Sequence, residues 1–382
     1  MNTPTLRIIE DLADILPSEW DALAGDDPFL SHAYLYALQE SGCATAPFGW
    51  QAQFITLWQD EHLVGAMPLY LKMNSYGEHV FDFAWANAYH QHGLSYYPKL
   101  VCAVPFTPVT GARLLAKTPE LRSMLLEAAL ELAKESGVSS LHCLFLDETD
   151  KQEAQAQGMM LRQDVQFHWQ NPGYRDFEDF LAALSRDKRK RIRQERRKVK
   201  EAGIELRRIT GTEASTEDWS FFASCYLHKR AEHHSPPALN EDFFQRIGAA
   251  IPDNTLLVIA TRAGKPIASA LNIVTDRALY GRSWGTFEFH SGLHFETCYY
   301  QAIEFCIERN IGTFEGGAQG EHKLARGFLP VATCSAHWLA HPQFSRAIEN
   351  YLQRESDAVM EYVDELNDRS PFKPLQPLIK PF

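Results

Sequence analysis

Two tandem α/β units are what this sequence predicts, and three observations carry the prediction. The chain of 382 residues is longer than a single domain of about 50–250 residues. Stretches with the period-2 alternation of strands and the 3.6 period of helices follow one another along its length. One order of elements (β, two helices, three β, helix, β, short helix, β) occurs twice, each time over about 190 residues, which reads as a duplication.

In the first half "TLRII" has strand character and is followed by a helix around "PSEWDAL". A second helix starts at a Ser31 cap and ends near Gly42, since a serine side chain satisfies a free helical amide and glycine tolerates the left-handed exit. Strands are expected at "QFITLW", "HLVGAMPLYL" and "VFDFAW". An irregular stretch runs to Lys117, and Leu121, Met124, Leu125, Ala128 and Leu132 then mark an amphipathic helix closed by Gly137. "SSLHCLFL" and "VQFHWQ" complete the first half as strands.

The second half repeats the order. It has a strand at "IELRRI", helices near Glu217–Glu232 and Glu241–Ala249, a hairpin in "TLLVIATRAGKPIASALNIV" turning at Ala-Gly, and a strand at "ALYGRSWG". A helix from Leu293 to Arg309 leads to the strand "IGTFEGG" and, after a Gly-rich stretch, to "TCSAHWLA". Phe344, Ile348, Leu352, Val359, Val363 and Leu366 mark a long amphipathic C-terminal helix. The proline-rich "SPFKPLQPLIKPF" cannot continue it and is expected as an extended strap. The boundaries expected from this pattern are 1–170, 171–342 and a helix with tail over 343–382.

With 45% hydrophobic and 23% charged residues the chain has a globular composition, without an apolar run long enough for a membrane span and without a secretory leader pattern, so the cytoplasm is the expected location. Seven scattered cysteines with no Cys-x-x-Cys pair read as free thiols. Arg186–Lys200 holds ten of the 37 Lys and Arg but two of the 49 acids, so the net charge of −12 becomes −20 outside it. That run, bounded by Gly203 and carrying Leu184, Ile192 and Val199 for docking, is a basic helix able to meet tRNA or an anionic membrane surface.

Two stretches carry the mixture of residues that chemistry needs. "EGGAQGEHKLARGF", Glu315–Phe328, joins four glycines to clustered Glu321, His322, Lys323 and Arg326. Glycine lets the backbone bend and lets another group come close. "HSGLHFETCYY", from His290, turns at Gly292 into a helix, gathering free amides at Ser291, Gly292, Leu293, His294 and Phe295, a cradle for phosphate or a carbonyl oxygen. His290 and His294 at i, i+4 and the cluster His228, His233, His234 invite a metal reading. No HExxH pattern or compelling third ligand supports it, and no metal is expected.

The order of elements is that of the GNAT acyltransferase fold, and the doubled unit resembles the FemAB-like branch, whose members carry two such domains and are often labelled peptidoglycan biosynthesis or recognition proteins. "WANAYHQHGLSYYPKLVCAVPFTPVTGARLL", "SGLHFETCYYQAIEFC", "FEGGAQGEHKLARGFLPVATCSAHWL" and the "FLSHAYLYALQESG" helix carry the resemblance over nearly the whole chain. It implies transfer of an acyl or aminoacyl group to an amine, with a peptidoglycan precursor among the acceptors. The donor would lie at Gly292–Phe295, in a cleft where two parallel strands splay apart.

Related acyltransferases place a lysine just after a Gly-rich strand end, the position of Lys323. Lys323 and Arg326, one helical turn apart, would hold phosphate or steady an oxyanion, and Glu321 or His322 would take the amine's proton. Trp284, Gly316, Gly317 and Gln319 are candidate substrate contacts. So are Tyr96, Tyr97, Lys99, Thr107, Thr110 and Arg113, from a stretch too long and aromatic for a bland connection, expected to line a shared cleft. The Gln/Arg-x-x-Gly-x-Gly/Ala loop that holds the pyrophosphate of coenzyme A is absent, so acyl-CoA and aminoacyl-tRNA both stand as donors, with no tightly bound cofactor. A recognition module that binds a peptidoglycan-like or other anionic ligand without chemistry is the alternative.

Overall fold

The computed structural model describes residues 3–232, 238–317 and 320–373. In chain order the elements are β1 (Thr5–Ile9), α1 (Pro17–Ala24), α2 (His32–Glu40), β2 (Trp50–Ala52), β3 (Phe54–Gln59), β4 (His62–Met67), β5 (Leu69–Lys72), α3 (Phe83–Gln91), β6 (Lys99–Cys102), β7 (Leu115–Ala116), α4 (Pro119–Glu135), β8 (Ser140–Cys143), α5 (Glu148–Ala156) and β9 (Met160–Gln170). They continue with α6 (Phe177–Ala183), α7 (Arg186–Glu201), β10 (Ile204–Thr210), α8 (Thr216–Glu232), α9 (Glu241–Ala250), β11 (Thr255–Arg262), β12 (Lys265–Val274), β13 (Ala278–Thr286) and α10 (Leu293–Phe295). After α10 come a π turn over Glu296–Tyr300, α11 (Gln301–Glu308), β14 (Thr313–Glu315), a 3-10 turn over Glu321–Arg326, β15 (Leu329–Leu339) and α12 (Pro342–Asp368).

Contacts divide the chain into a first unit of Met1–Val165, His234–Asn254 and Ala332–Glu361, and a second of Gln166–His233, Thr255–Val331 and Tyr362–Phe382. These borders differ from a plain cut at residue 170, because the two halves exchange segments. The end of β9 pairs with β14, Glu315 facing His168, inside the second unit. The end of β15 pairs with β8, His337 facing His142, inside the first. Helix α9 joins the first unit as well, where Asn240 Nδ2 donates to Ser41 O (2.7 Å) and Phe243 meets Tyr34 edge-on at 5.6 Å.

In the first unit β1-β3-β4-β7 form an antiparallel sheet, and a second layer runs β15-β8-β6-β5-β2, with β6 and β8 parallel. Helix α4, begun by Thr118 as cap and Pro119 in its first turn, lays Leu125, Leu126, Ala129, Leu130 and Ala133 on Ile55, Leu57, Met67, Leu100 and Leu141. The start of α12 covers α3 through Ile348 and Leu352 against Trp85, Tyr89 and Tyr96. The strand expected at "VFDFAW" is instead a loop running into α3. Phe81 and Phe83 point to solvent while Asp82 between them is buried, because Asp82 pairs with the buried ammonium of Lys99, an ionic contact that outweighs the apolar alternation.

In the second unit the order is β10-β11-β12-β13-β14-β9, with β13 and β14 the parallel pair. Gly285 is where helix α8 lies against β13: a Cβ there would stand 1.9 Å from the backbone oxygen of Cys225. Gly285→Ala is therefore expected to destabilise the protein by about 1–3 kcal/mol or more, since backbone must move away from backbone, and urea unfolding reads the loss. The strap begins as expected: Phe372 bridges Leu184, Ser185 N donates to Pro371 O (2.9 Å) and Lys373 N to Ala183 O (3.0 Å). The rest of the tail lies outside the described residues. All seven cysteines are free.

Candidate functional site

Strands β13 and β14 run side by side only from Ala278–Thr313 to Tyr280–Glu315, and beyond that register they part. At the parting β13 carries a bulge: Ser283 faces Leu271 and Gly281 faces Asn272, leaving Arg282 as the extra residue. A bulge re-aims its strand and is frequent beside active sites. The gap is a cavity of about 110 Å³, lined by Asn272, Gly281, Ser283 and Trp284 on one side, by His294, Cys298 and Tyr299 on another, and by Phe314, Gly316 and Gly317 at the strand end.

The helix wall owes its side chains to the π turn. An i→i+5 turn inserts one residue, so Tyr299 reaches the cavity beside His294 and Cys298; in a plain 3.6 period it would lie about 140° round from His294. His294 stacks on Trp284 with centroids 4.5 Å apart. Burial, with the positive charges of Arg326, Lys229 and Lys323 and neighbouring His322, pushes its imidazole down to about 4, so it is neutral at pH 7.

What comes close to the Gly-rich backbone is the protein's own lysine. The stem of Lys323 passes Gly316, where a Cβ would stand 3.3 Å from its Cδ and Cε, and Nζ donates to Gly317 O at 2.6 Å. The side chain is 2% exposed, and burial pulls its ammonium down to about 8. Its charge is felt by His168, which burial and Lys323 together hold near 4. His168 Nε2 lies 3.8 Å from Glu315 Oε2 and 3.2 Å from Gln166 Oε1. The exposed imidazole of His322 sits beside the cavity wall, its Nε2 3.2 Å from the Tyr299 hydroxyl, and burial of part of the ring with Arg326 and Lys323 lowers its pKa below the ordinary 6.5.

Other sequence-predicted residues stand elsewhere. Glu321 accepts from Tyr362 OH (2.7 Å) and faces Arg369 (3.6 Å), so its carboxylate belongs to the α12 side and not to the cavity. Arg326 is fully buried and each of its nitrogens is engaged: Nη2 donates to Glu195 (2.7 Å), Nε to Tyr300 OH (3.1 Å) and Nη1 to His322 O (2.6 Å), with Phe295 beneath at 3.2 Å. It clamps α7, the π turn and the 3-10 turn together, which positions His322 and Lys323.

At Gly292 the approaching group is the backbone of α7, the Glu195 oxygen standing 2.9 Å from where a Cβ would be. Ser291 is exposed and Leu293 is core with Val199 and Ile204. Gln319, His233 and His234 lie outside the described residues. His290 bonds Glu288 (2.8 Å) and not His294, and among the described residues no three His, Cys, Asp or Glu are grouped for a metal ion.

Of the first-half candidates Tyr96, Lys99, Thr107 and Arg113 are buried inside the first unit and Tyr97 is half-buried. Lys99, 0% exposed, donates to Glu78 (2.7 Å), Ser75 (2.9 Å) and Asp82. Tyr96 OH donates to Asp82 (2.7 Å), Tyr97 OH bonds Ser75 (2.7 Å), and Thr107 bonds Pro105 O (3.0 Å). Thr110 is half-buried. Arg113 fills the place that the cavity occupies in the second unit. Beyond the parallel pairing of Cys102 with Cys143 it reaches Leu144 O (2.9 Å), Val109 O (2.7 Å) and Ala112 O (2.7 Å). The expected lining role of Lys99 and Arg113 is thus replaced by an internal one, since each cation's donors are spent on the protein itself.

Fold and cavity define the class: a duplicated GNAT fold, open at the splayed parallel strands of its second half and plugged by arginine in its first. The chain belongs to the FemAB-like family, described as peptidoglycan biosynthesis/recognition, whose sequence model matches residues 11–374. Among solved structures it is similar to FemX, with a TM-score of 0.54 and 12% identity over 88% of this chain and 98% of that one. It is similar too to the C-terminal domain of a putative lysylphosphatidylglycerol synthetase from Agrobacterium fabrum, with a TM-score of 0.52 and 8% identity over 88% and 96%. A tandem GNAT protein from the clavulanic acid biosynthesis pathway matches at a TM-score of 0.45 and 12% identity over 89% and 99%. At these identities the likeness is one of fold. No curated protein matched the sequence. Among the described residues no helix is long and apolar enough to cross a membrane.

His168, Glu315 and Tyr299 escaped the sequence reading. His168 and Glu315 meet only by strand pairing across 147 positions of chain, which no local pattern encodes. Tyr299 sits one turn after His294, and the 3.6 period gives no sign of a π turn.

Proposed function

We propose that the protein transfers a short acyl or aminoacyl group to an amine, with a peptidoglycan precursor as the acceptor, at the cavity of the second unit. The amine nitrogen attacks the carbonyl carbon of the donor ester or thioester, the C–N bond forms, and the C–O or C–S bond breaks as the leaving group takes up a proton. The buried ammonium of Lys323 faces the negative charge that grows on the carbonyl oxygen, and low local polarity makes that interaction strong. His322, neutral at pH 7, takes the amine's proton directly or through the Tyr299 hydroxyl.

The observation that carries this reading is the burial of a lysine whose ammonium ends 2.6 Å from the Gly-rich strand end, beside a cavity of about 110 Å³. An acetyl, glycyl or alanyl group suits a cavity of that size. The close packing of Glu195 on Gly292 favours an aminoacyl ester over a donor whose pyrophosphate must rest there. Calorimetric titration with acetyl-CoA and with glycyl- and alanyl-tRNA, followed by product analysis with a peptidoglycan precursor pentapeptide, tests both donors. Absence of product with every donor would leave a binding module.

His322→Gln is expected to lower kcat by about 10²-fold and to remove the acid limb of the pH profile. The sign follows from the base role. The wild-type rate falls as pH drops through the lowered pKa of His322, below 6.5, because the protonated ring accepts nothing. A pH profile of Tyr299→Phe separates the routes: it keeps the limb if His322 acts directly.

A further inference from the structure

We infer that the second unit docks on an anionic phospholipid surface through the basic face of α7 and the Phe287–Phe289 turn beside it. The inference does not rest on the acyl-transfer reading. Of the ten cations in Arg186–Lys200, four have acidic partners: Arg191 with Glu195, Arg193 with Glu178, Arg196 with Glu296 and Glu304, and Arg197 with Glu201. Among the described residues Arg186, Lys188, Arg189, Lys190, Lys198 and Lys200 have no carboxylate within ion-pair distance. At 100° per residue, Arg186, Arg189, Lys190, Arg193, Arg197 and Lys200 form one stripe, its centre about 110–130° round the helix from the buried Ile192 and Val199. Outside this helix the chain carries −20, so an anionic surface would repel most other faces and attract this one.

A basic stripe alone is a solvated helix or a nucleic-acid face. The second observation is apolar: Phe289 is 93% exposed and Phe287 48%. Their turn is tied to α7 twice. Gly292 lies against Glu195, and Arg262 donates both to Ala202 O (3.3 Å), just past the end of α7, and to Glu288 (3.3 Å). The phenylalanine tip thus stands near the C-terminal end of the helix, where Lys198 and Lys200 are exposed. Bases of RNA stack on aromatic faces set into a basic groove, and α7 itself has no aromatic residue. A protruding phenylalanine flanked by cations matches an interface with an apolar interior beneath anionic headgroups.

The test is co-sedimentation of the full chain with vesicles of phosphatidylcholine alone and with about 30% phosphatidylglycerol, at low and moderate salt, with bulk tRNA as competitor. Binding is expected only to the anionic vesicles and to weaken with salt. The triple charge reversal Lys190→Glu, Lys198→Glu, Lys200→Glu should abolish it. Phe289→Ser should weaken it about tenfold or more, the apolar contribution of one inserted ring. All four side chains are exposed, so thermal unfolding should be unchanged. No pelleting with anionic vesicles overturns the inference, as does binding that Phe289→Ser leaves intact. Binding to tRNA without vesicle binding would assign the stripe to nucleic acid instead.

Discussion

Lys323→Met is expected to lower kcat/KM by about 10²-fold or more while leaving the midpoint of thermal unfolding unchanged or slightly higher. Removing one preorganised donor from the developing oxyanion costs about that factor. The fold should not suffer, because the ammonium is buried against the Gly317 carbonyl and, among the described residues, has no carboxylate within ion-pair distance to compensate it. Methionine keeps the stem that covers Gly316 and removes the desolvated charge. The wild-type alkaline limb provides a second reading. Burial sets the Lys323 pKa at about 8, so the charged form and the rate should fall as pH rises through about 8. Lys323→Arg should move that limb beyond the measurable range, since arginine stays protonated. A fully active Lys323→Met protein, with an unmoved limb, would remove the lysine from the reaction.

Lys99→Met should cost about 3–5 kcal/mol of stability, the price of leaving Asp82 buried without its cation and Glu78 with only the Lys72 ammonium 3.9 Å away. Burial alone would pull the Lys99 ammonium down, but Glu78 and Asp82 outweigh it and hold it above its ordinary value. For Asp82 burial pushes up, and the charge and hydrogen bond of Lys99 win, so its carboxyl lies below the usual range. The sign of the linkage follows. The Asp82 contribution is present above its unfolded pKa of 3.8 and is lost as pH falls through the lower folded value. That of Lys99 is present below 10.5 and is lost as pH rises through the higher folded value. Glu78, which burial pushes up to about 7 against the pull of Lys99, titrates inside that window, so the penalty for Lys99→Met should grow as pH rises through and above about 7 in urea unfolding. Loss of less than about 1 kcal/mol would mean that water enters and solvates the two acids.

These two lysines show how far a sequence reaches. Both stand in stretches whose composition marks them, and both were legible as special. Lys323 follows "GGAQG", whose Gly316 and Gly317 line the cavity. Lys99, in "SYYPKLVC", looked equally functional yet is spent on Glu78 and Asp82, 21 and 17 positions away. Charge type and spacing cannot tell a cation aimed at a ligand from one aimed at a buried acid.

The periodicities alone determined the duplicated α/β order, the helix marked by Leu121 to Leu132, the basic helix and the long C-terminal helix, because each rests on contacts between residues three or four apart or on strict alternation. Tertiary structure decided the rest. The exchange of β9 and β15, the meeting of His168 with Glu315, the arginine plug in the first unit and the turning of Glu321 toward Tyr362 all depend on pairings over long stretches of chain. At Phe81–Phe83 the apolar pattern lost to an ion pair. At Gly292 the space that glycine opens is filled by Glu195. A local pattern fixes which face of an element seeks burial; only the packed chain fixes what it is buried against.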